Sequence, residues 1–253
     1  MLNYQTLSSD SSRPVIGVFD SGYGGITTWR ALKTNLPDVK CLYFGDHQNC
    51  PYDNKSQDEL IKITTSVVTN LAHQGAKIIV IACNTATTQC IHELRRRFPE
   101  LIFVGTEPAL NVARDAGCQN ILLLATPSTV QSRQVKRLVD HSIGAEEVTL
   151  MACPDLARRV EASFFSTSYQ LDRSRLPAIT AYLDTLFAKI EDPAVFDGVV
   201  LGCTHYIHIQ SQIEPYFPQA RFFNGNAGVV RRVKAILEDL TSSKLTQNSH
   251  RVV

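Results

Sequence analysis

Two cysteines occupy matching positions in two similar stretches of the sequence. The segments IIVIACNTA (78–86) and DGVVLGCTHY (197–206) each run from apolar residues through a small residue into cysteine and polar residues, which places Cys83 and Cys203 just beyond a predicted strand. Free cysteines are most often inert and buried, but polar neighbours at a strand end are the setting that a reactive thiol needs. Open α/β sheets bind their ligands at this edge. The repeat therefore predicts two similar halves, each contributing one thiol.

Two equivalent thiols suit a reaction that needs two equivalent acid–base groups. Removing a proton from one face of a carbon and delivering a proton to the other face inverts that carbon. An ordinary cysteine pKa of about 8.5 allows one thiol to be ionised while the other is protonated. Two other chemistries remain open: a metal site from Cys83, Cys203 and His205, which lacks a usual zinc spacing, and a Cys–His hydrolase, which would use only one cysteine. The pattern favours racemisation.

Further polar groups are predicted at the same sheet edge. Asp20 ends the first predicted strand and precedes the glycine-rich turn SGYGG (21–25), whose backbone amides could hold a carboxylate or phosphate. The turn lacks the spacing of nucleotide-binding motifs, so a small anion is favoured over a dinucleotide. His205 follows Cys203 by two positions and is placed to orient it. Glu161 has no local signal and is expected to be a solvated helix carboxylate.

Short aliphatic runs alternate with longer amphipathic stretches, which is typical of βα units around a parallel sheet. The clearest helix begins after Ser56, because Ser56 and Glu59 have the spacing of a capping box and Gly75 provides a stop. The segment 43–56 should connect the second strand to this helix along the ligand-binding edge. Strands are predicted at Val15–Phe19, Cys41–Phe44, Ile78–Ala82, Ile102–Val104, Ile121–Ala125, Glu147–Met151 and Gly198–Leu201.

The composition fits a globular protein that acts on a small molecule. The chain has 253 residues, 44% of them hydrophobic, and a net charge of +1 without a basic stripe, so nothing favours nucleic acid or a membrane surface as a partner. The seven cysteines lack a regular spacing, which indicates reduced thiols in the cytoplasm. Neither a secretory signal nor a membrane-spanning stretch is evident. Residues 1–13 and 246–253 are expected to be tails, and four cysteines are expected to be inert: Cys41, Cys90, Cys118 and Cys153.

Six groups of residues, in this order, resemble motifs of the glutamate racemase family of cofactor-independent amino-acid racemases. They are IGVFDSGYGGIT, GD followed by PY and NKS, ACNTA, EPA with ATPSTV, ACP, and GCTHY. The likeness runs from about Ile16 to Val233, and related aspartate racemases tend to carry Glu at the position of His205. The resemblance implies interconversion of L- and D-glutamate for peptidoglycan synthesis. It also implies that no cofactor and no metal is required and that a homodimer could form.

The resemblance also implies roles for individual residues. Cys83 and Cys203 would be the two proton donors and acceptors, Asp20 would assist the first, His205 would assist the second, and Glu161 would be a further acidic helper. The fold implied is two pseudo-symmetric α/β domains with mainly parallel sheets and the site in the cleft between them: 14–106 with 217–245, and 107–216. The substrate-binding residues implied are Asp20, Ser21, Tyr52, Asp53, Asn84, Thr85, Thr204 and His205.

Two segments depart from the family pattern. Asp53 replaces a glycine, HQNC (47–50) replaces a segment containing arginine, and Asn224 replaces an acidic turn residue. A carboxylate at position 53 would repel the substrate's carboxylate by about 1 to 4 kcal/mol at 4 Å, unless it faces solvent. Two alternative functions therefore stay open: a glutamate-binding protein without turnover, and an aspartate or hydantoin racemase.

Overall fold

Two four-stranded parallel sheets form the frame of the computed structural model, which describes residues 14–142, 148–165 and 169–249. The strand order is β2-β1-β3-β4 in the first sheet and β6-β5-β7-β8 in the second. This architecture confirms the predicted α/β class. The strands are β1 Val15–Asp20, β2 Cys41–Gly45, β3 Ala76–Ile81, β4 Ile102–Gly105, β5 Ile121–Ala125, β6 Val148–Ala152, β7 Gly198–Leu201 and β8 Arg221–Phe223.

The two sheets have the same topology. In each, the first strand lies between the second and the third, and the fourth lies beyond the third. Strands β3 and β7 are therefore equivalent, and the cysteines that follow them occupy equivalent places.

Helices cover both faces of each sheet because alternate strand residues point to opposite faces and both faces are apolar. In β1, Phe19 packs with residues of α2 and α3, whereas Ile16 and Val18 pack with residues of α1 and α11. The helices are α1 Ile26–Asn35, α2 Gln57–His73, α3 Asn84–Arg97, α4 Leu110–Asp115, α5 Pro127–Val130, α6 Arg133–Ser142, α7 Leu156–Glu161, α8 Leu176–Phe187, α9 Thr204–Ile207, α10 Gln210–Ile213 and α11 Asn226–Ser249. Within the ranges described, no helix has the length and apolar character needed to cross a membrane.

Helix α2 begins as the sequence predicts. The Ser56 side chain accepts a hydrogen bond from the backbone N–H of Glu59, and the Glu59 carboxylate accepts one from the backbone N–H of Ser56. At the other end Gly75 has a φ of +91°, a conformation that favours glycine. The predicted cap and stop are both confirmed.

The chain returns to the first sheet later than predicted. Strand β8 pairs with β7, Phe222 lying opposite Val199, so residues 221–223 belong to the second sheet and the predicted boundary at 217 is too early. Helix α11 then packs Val229 and Val233 against the first sheet. This helix extends to Ser249, so the C-terminal tail predicted from 246 also begins too early. Residues 1–13, residues 250–253 and the predicted strand residue Glu147 lie outside the described ranges.

Candidate active site

The two thiols face one cavity from opposite domains. Cys83 follows β3 and caps the N-terminus of α3, and Cys203 follows β7 and precedes α9. Each is 6% exposed. The cavity holds about 10 Å³, which is room for no more than about one water molecule. Its lining contains seven of the predicted substrate-binding residues: Ser21, Tyr52, Asp53, Asn84, Thr85, Thr204 and His205.

Cys83 lies in an environment that favours the neutral thiol. Its sulfur is 3.8 Å from the Ser21 hydroxyl and accepts a hydrogen bond of 3.5 Å from the backbone N–H of Ala86. Burial, followed by the negative charge of Asp20, raises the pKa of Cys83 well above its usual range. The thiol therefore holds its proton and is available as a proton donor.

Asp20 links the two domains beneath the thiols. The carboxylate is fully buried and accepts hydrogen bonds from the Thr204 hydroxyl at 3.1 Å and from the backbone N–H of Gly22 at 3.2 Å. Burial raises the pKa of Asp20, and the nearby charge of His205 partly opposes that rise. Asp20 does not line the cavity itself, but Thr204, which it holds, does.

His205 connects Cys203 to Glu161. The His205 Nδ1 is 3.7 Å from the Cys203 sulfur, and its Nε2 is 2.8 Å from a carboxylate oxygen of Glu161. An ionised carboxylate only accepts hydrogen bonds, so Nε2 carries a proton. Burial alone would lower the pKa of His205, but hydrogen bonds with Cys203, Cys50 and Glu161 outweigh it and raise that pKa well above its usual value. The surroundings of His205 therefore favour its protonated form.

Glu161 is a partly buried residue held by several hydrogen bonds, which corrects the expectation of a solvated helix carboxylate. Its side chain is 13% exposed and accepts hydrogen bonds from His205, from His47 Nδ1 at 2.7 Å and from the backbone N–H of Tyr23 at 2.8 Å. Burial would raise the pKa of Glu161, but the hydrogen bonds of His205 and His47 outweigh it and lower that pKa to about 2. Glu161 is therefore ionised at neutral and mildly acidic pH.

The glycine-rich turn holds this internal carboxylate. The sequence predicted a small-anion ligand at residues 21–25, but in the structure the amide of Tyr23 binds the protein's own Glu161 carboxylate, and a Cβ on Gly22 would overlap the carboxylate oxygens. A Cβ on Gly24 would meet the Thr204 hydroxyl and lie 2.9 Å from the backbone nitrogen of His205. The glycines therefore serve the close approach of the two domains.

Asn84 carries a polar atom without a partner inside the cavity wall. Its Oδ1 is buried and makes no hydrogen bond to any residue that the structure describes. Leaving a buried acceptor unsatisfied costs about 1 to 3 kcal/mol, so such an atom points to a donor supplied by a ligand. The neighbouring Thr85 hydroxyl contacts the hydroxyls of Thr126 at 3.0 Å and Thr129 at 3.3 Å, across the domain boundary.

The loop 47–53 contains two residues, His47 and Cys50, to which the sequence assigned no individual role. His47 binds Glu161, and Cys50, Glu161 and His205 place potential metal-ligand atoms within 4.8 Å of one another. The loop follows β2 at the ligand-binding edge, which is the signal that could have identified them. Asp53 lines the cavity, so this residue faces the cavity and not only the solvent. Burial, followed by the charge of Asp155, raises the pKa of Asp53.

Comparison with known proteins decides the family. The family model described as Asp/Glu/Hydantoin racemase matches residues 30–233. The chain belongs to the Asp/Glu/hydantoin racemase family. It is accordingly an amino-acid racemase, an isomerase, and the resemblance found in its motifs is confirmed.

Individual members of the racemase family match most of the chain. A glutamate racemase of Bifidobacterium animalis subsp. lactis is 38% identical over 234 residues, which cover 91% of this chain and 86% of the relative. The crystal structure of Escherichia coli glutamate racemase with L-glutamate and the activator UDP-MurNAc-Ala has a TM-score of 0.76 and 28% identity, covering 89% of this chain and 83% of that one. The Thermus thermophilus glutamate racemase structure has a TM-score of 0.71 and 27% identity, covering 90% and 82%.

Proposed function

We propose that this racemase interconverts L- and D-glutamate by moving the Cα proton between two cysteines, without a cofactor. The observation that carries the proposal is that Cys83 and Cys203, from equivalent strand ends of opposite domains, line one cavity. The names of the relatives support glutamate as the substrate. The D-glutamate would be supplied in the cytoplasm for peptidoglycan synthesis.

One proton leaves one face of Cα and another is added to the opposite face. The Cys203 thiolate takes the Cα proton of one enantiomer, and the Cys83 thiol delivers its proton to the opposite face, leaving Cys203 protonated and Cys83 as a thiolate. Family resemblance assigns Cys203 to L-glutamate and Cys83 to D-glutamate. The environments support this starting state, because burial and the charge of Asp20 favour the Cys83 thiol, and the Nδ1 of His205 faces the Cys203 sulfur at 3.7 Å.

The polar groups around the thiols suit an amino-acid substrate. The unpaired Oδ1 of Asn84 would accept a hydrogen bond from the substrate ammonium group. The hydroxyls of Ser21, Thr85 and Thr204 line the same cavity and would donate to its carboxylates. Because the cavity has room for about one water molecule, glutamate would enter only after the two domains separate. Closing them again would exclude water from the reacting carbon.

The test is isotope exchange at Cα in D2O. Metal-free protein is incubated with L-glutamate, and chiral chromatography with mass spectrometry follows the product. The expected product is D-glutamate with deuterium at Cα, and L-aspartate should show much slower exchange. Binding of glutamate without exchange would support a binding protein, and faster exchange of aspartate would support an aspartate racemase. Either result would overturn the proposal. A Cys83→Ser, Cys203→Ser double variant is the matched control for contaminating racemase.

A further inference from the structure

The loop that follows β2 brings a third thiol to the edge of the active site. Cys50 comes from the first domain, whereas Glu161 and His205 come from the second, and their potential ligand atoms lie within 4.8 Å of one another. Among the described residues, this is the group in which three histidine, cysteine or acidic side chains bring their ligand atoms within 4.8 Å of one another. The proton transfer between Cys83 and Cys203 has no use for Cys50. Its position beside His205 therefore needs a separate account.

The three side chains are each of a type that binds zinc. Zinc binds cysteine sulfur at about 2.3 Å, histidine nitrogen at about 2.0 to 2.1 Å and carboxylate oxygen at about 2.0 to 2.2 Å, in tetrahedral geometry. Ligand atoms in such a site are therefore about 3.3 to 3.8 Å apart. Shifts of about 1 Å would bring the three side chains to these separations. The fourth position would be free for water or for His47, whose Nδ1 binds the other oxygen of Glu161.

Charge and burial also suit a dication. A thiolate and a carboxylate would neutralise Zn²⁺, with His205 as the neutral third ligand. Glu161 is held in place by the backbone N–H of Tyr23, and His205 is 2% exposed, so both are positioned before metal binds. A ligand whose own hydrogen bonds fix its orientation binds metal more tightly than a mobile one.

We propose that Cys50, Glu161 and His205 form a zinc site whose occupation inhibits the racemase. Metal binding needs a thiolate and a neutral imidazole, so the protons of Cys50 and His205 pass to solvent. The bound metal then holds His205, whose Nδ1 lies 3.7 Å from the Cys203 sulfur, so this ring is no longer free to move with the thiol. Zinc also ties loop 47–53 to the second domain and opposes the domain separation that substrate entry requires. The inhibitory part of the proposal rests on the proposed racemisation, but the metal site itself does not.

The first test is metal binding, which requires no catalysis. Metal-free wild-type protein is titrated with Co²⁺ as a spectroscopic substitute for zinc, beside Cys50→Ser and the control Cys41→Ser, which alters another half-buried thiol at the start of β2. The wild type and the control should each bind one Co²⁺, with a sulfur-to-metal band in the near ultraviolet, and Cys50→Ser should lose that band. No band in the wild type, or an equal band in Cys50→Ser, would overturn the site.

The second test is inhibition, with each variant compared with its own metal-free rate. Zn²⁺ should inhibit glutamate racemisation by the wild type and by Cys41→Ser, and a chelator should restore the rate. Cys50→Ser should need at least about tenfold more Zn²⁺ for half-inhibition. Zinc binding without inhibition would refute the inhibitory part. If metal-free wild type fails to racemise glutamate, the proposed function has failed, and the Co²⁺ titration still decides the metal site.

Discussion

Thr204 of the second domain donates a hydrogen bond of 3.1 Å to the carboxylate of Asp20 in the first. A second contact has the same plan, because the Thr85 hydroxyl of the first domain lies 3.0 Å from the Thr126 hydroxyl of the second. In both, the segment after the third strand of one sheet binds the end of the first strand of the other. The repeated topology thus produces two equivalent hydrogen bonds between the domains, one beside each thiol. Together they hold the domains closed over the cavity.

Serine at either catalytic cysteine should abolish racemisation. A serine hydroxyl is far less acidic than a thiol, so Cys83→Ser and Cys203→Ser should each lower kcat. The expected loss is at least about 100-fold, since a general acid or base usually contributes about 10²- to 10⁴-fold. Each variant should retain some Cα exchange with one enantiomer only. Exchange measured separately on L- and D-glutamate in D2O checks this, with Cys41→Ser as the control. Near wild-type racemisation by either variant would show that its cysteine is structural.

Glu161→Gln should change the pH dependence of stability. The pKa of Glu161 lies at about 2, below its ordinary value of 4.5, so the ionised form stabilises the fold. That contribution is complete above the ordinary pKa and is lost as pH falls towards 2. The difference in free energy of unfolding between wild type and variant should therefore be largest near neutral pH and should disappear in acid. Urea unfolding at several pH values measures it, and a difference that is constant with pH would contradict the charged pairing with His205.

Asp53→Asn and Asp53→Gly should improve binding of the substrate. The half-buried Asp53 lines the cavity and would repel a dicarboxylate when ionised. Removing the charge should lower KM by up to about tenfold, equivalent to about 1.4 kcal/mol, with kcat nearly unchanged. Because the pKa of Asp53 is raised, the benefit should shrink as pH falls and the wild-type carboxyl gains its proton.

The control for Asp53 is Asp58→Asn, which makes the same charge change at an exposed position of α2. It should leave KM within about twofold, since exposed charges are screened by water and salt. A tenfold or greater fall in kcat on changing Asp53 would give this residue an active role instead.

Gly24→Ala should damage the active site while leaving each domain folded. The added methyl group would meet the Thr204 hydroxyl and the backbone nitrogen of His205, so the domains could not close fully. We expect kcat/KM to fall by about tenfold or more, with an unchanged far-ultraviolet circular dichroism spectrum. Gly228→Ala is the control, because a methyl group there would meet nothing nearer than the Arg231 guanidinium at 4.0 Å, an ordinary van der Waals contact. Equal activity of the two variants would show that closure is not needed.

Local patterns were sufficient to predict much of the molecule. The positions of Cys83 and Cys203 follow from strands that sequence periodicity identifies, and the start of α2 follows from Ser56 and Glu59 alone. Strand β8 was missed because three residues beginning with an arginine have too short a pattern to be distinguished from a loop.

The environment of Glu161 could not be predicted from its own segment. The carboxylate is fixed by Tyr23 and His47 of the other domain, 138 and 114 residues away in sequence. Such a contact depends on how two separately folded sheets pack together, and no local periodicity encodes that packing. The same holds for Cys50, whose neighbours His205 and Glu161 also lie across the domain boundary.

The sulfur of Cys83 accepts a hydrogen bond from the backbone N–H of Ala86 and so caps a helix of 14 residues. A reagent such as iodoacetamide that alkylates this sulfur would weaken that cap as well as stop proton transfer. Loss of a helix cap usually costs about 0.5 to 2 kcal/mol, and sulfur is a weak acceptor, so the lower end applies. Alkylation of Cys83 should therefore also lower the melting temperature of the protein. A melting curve would register a covalent inhibitor bound at this residue without any assay of turnover.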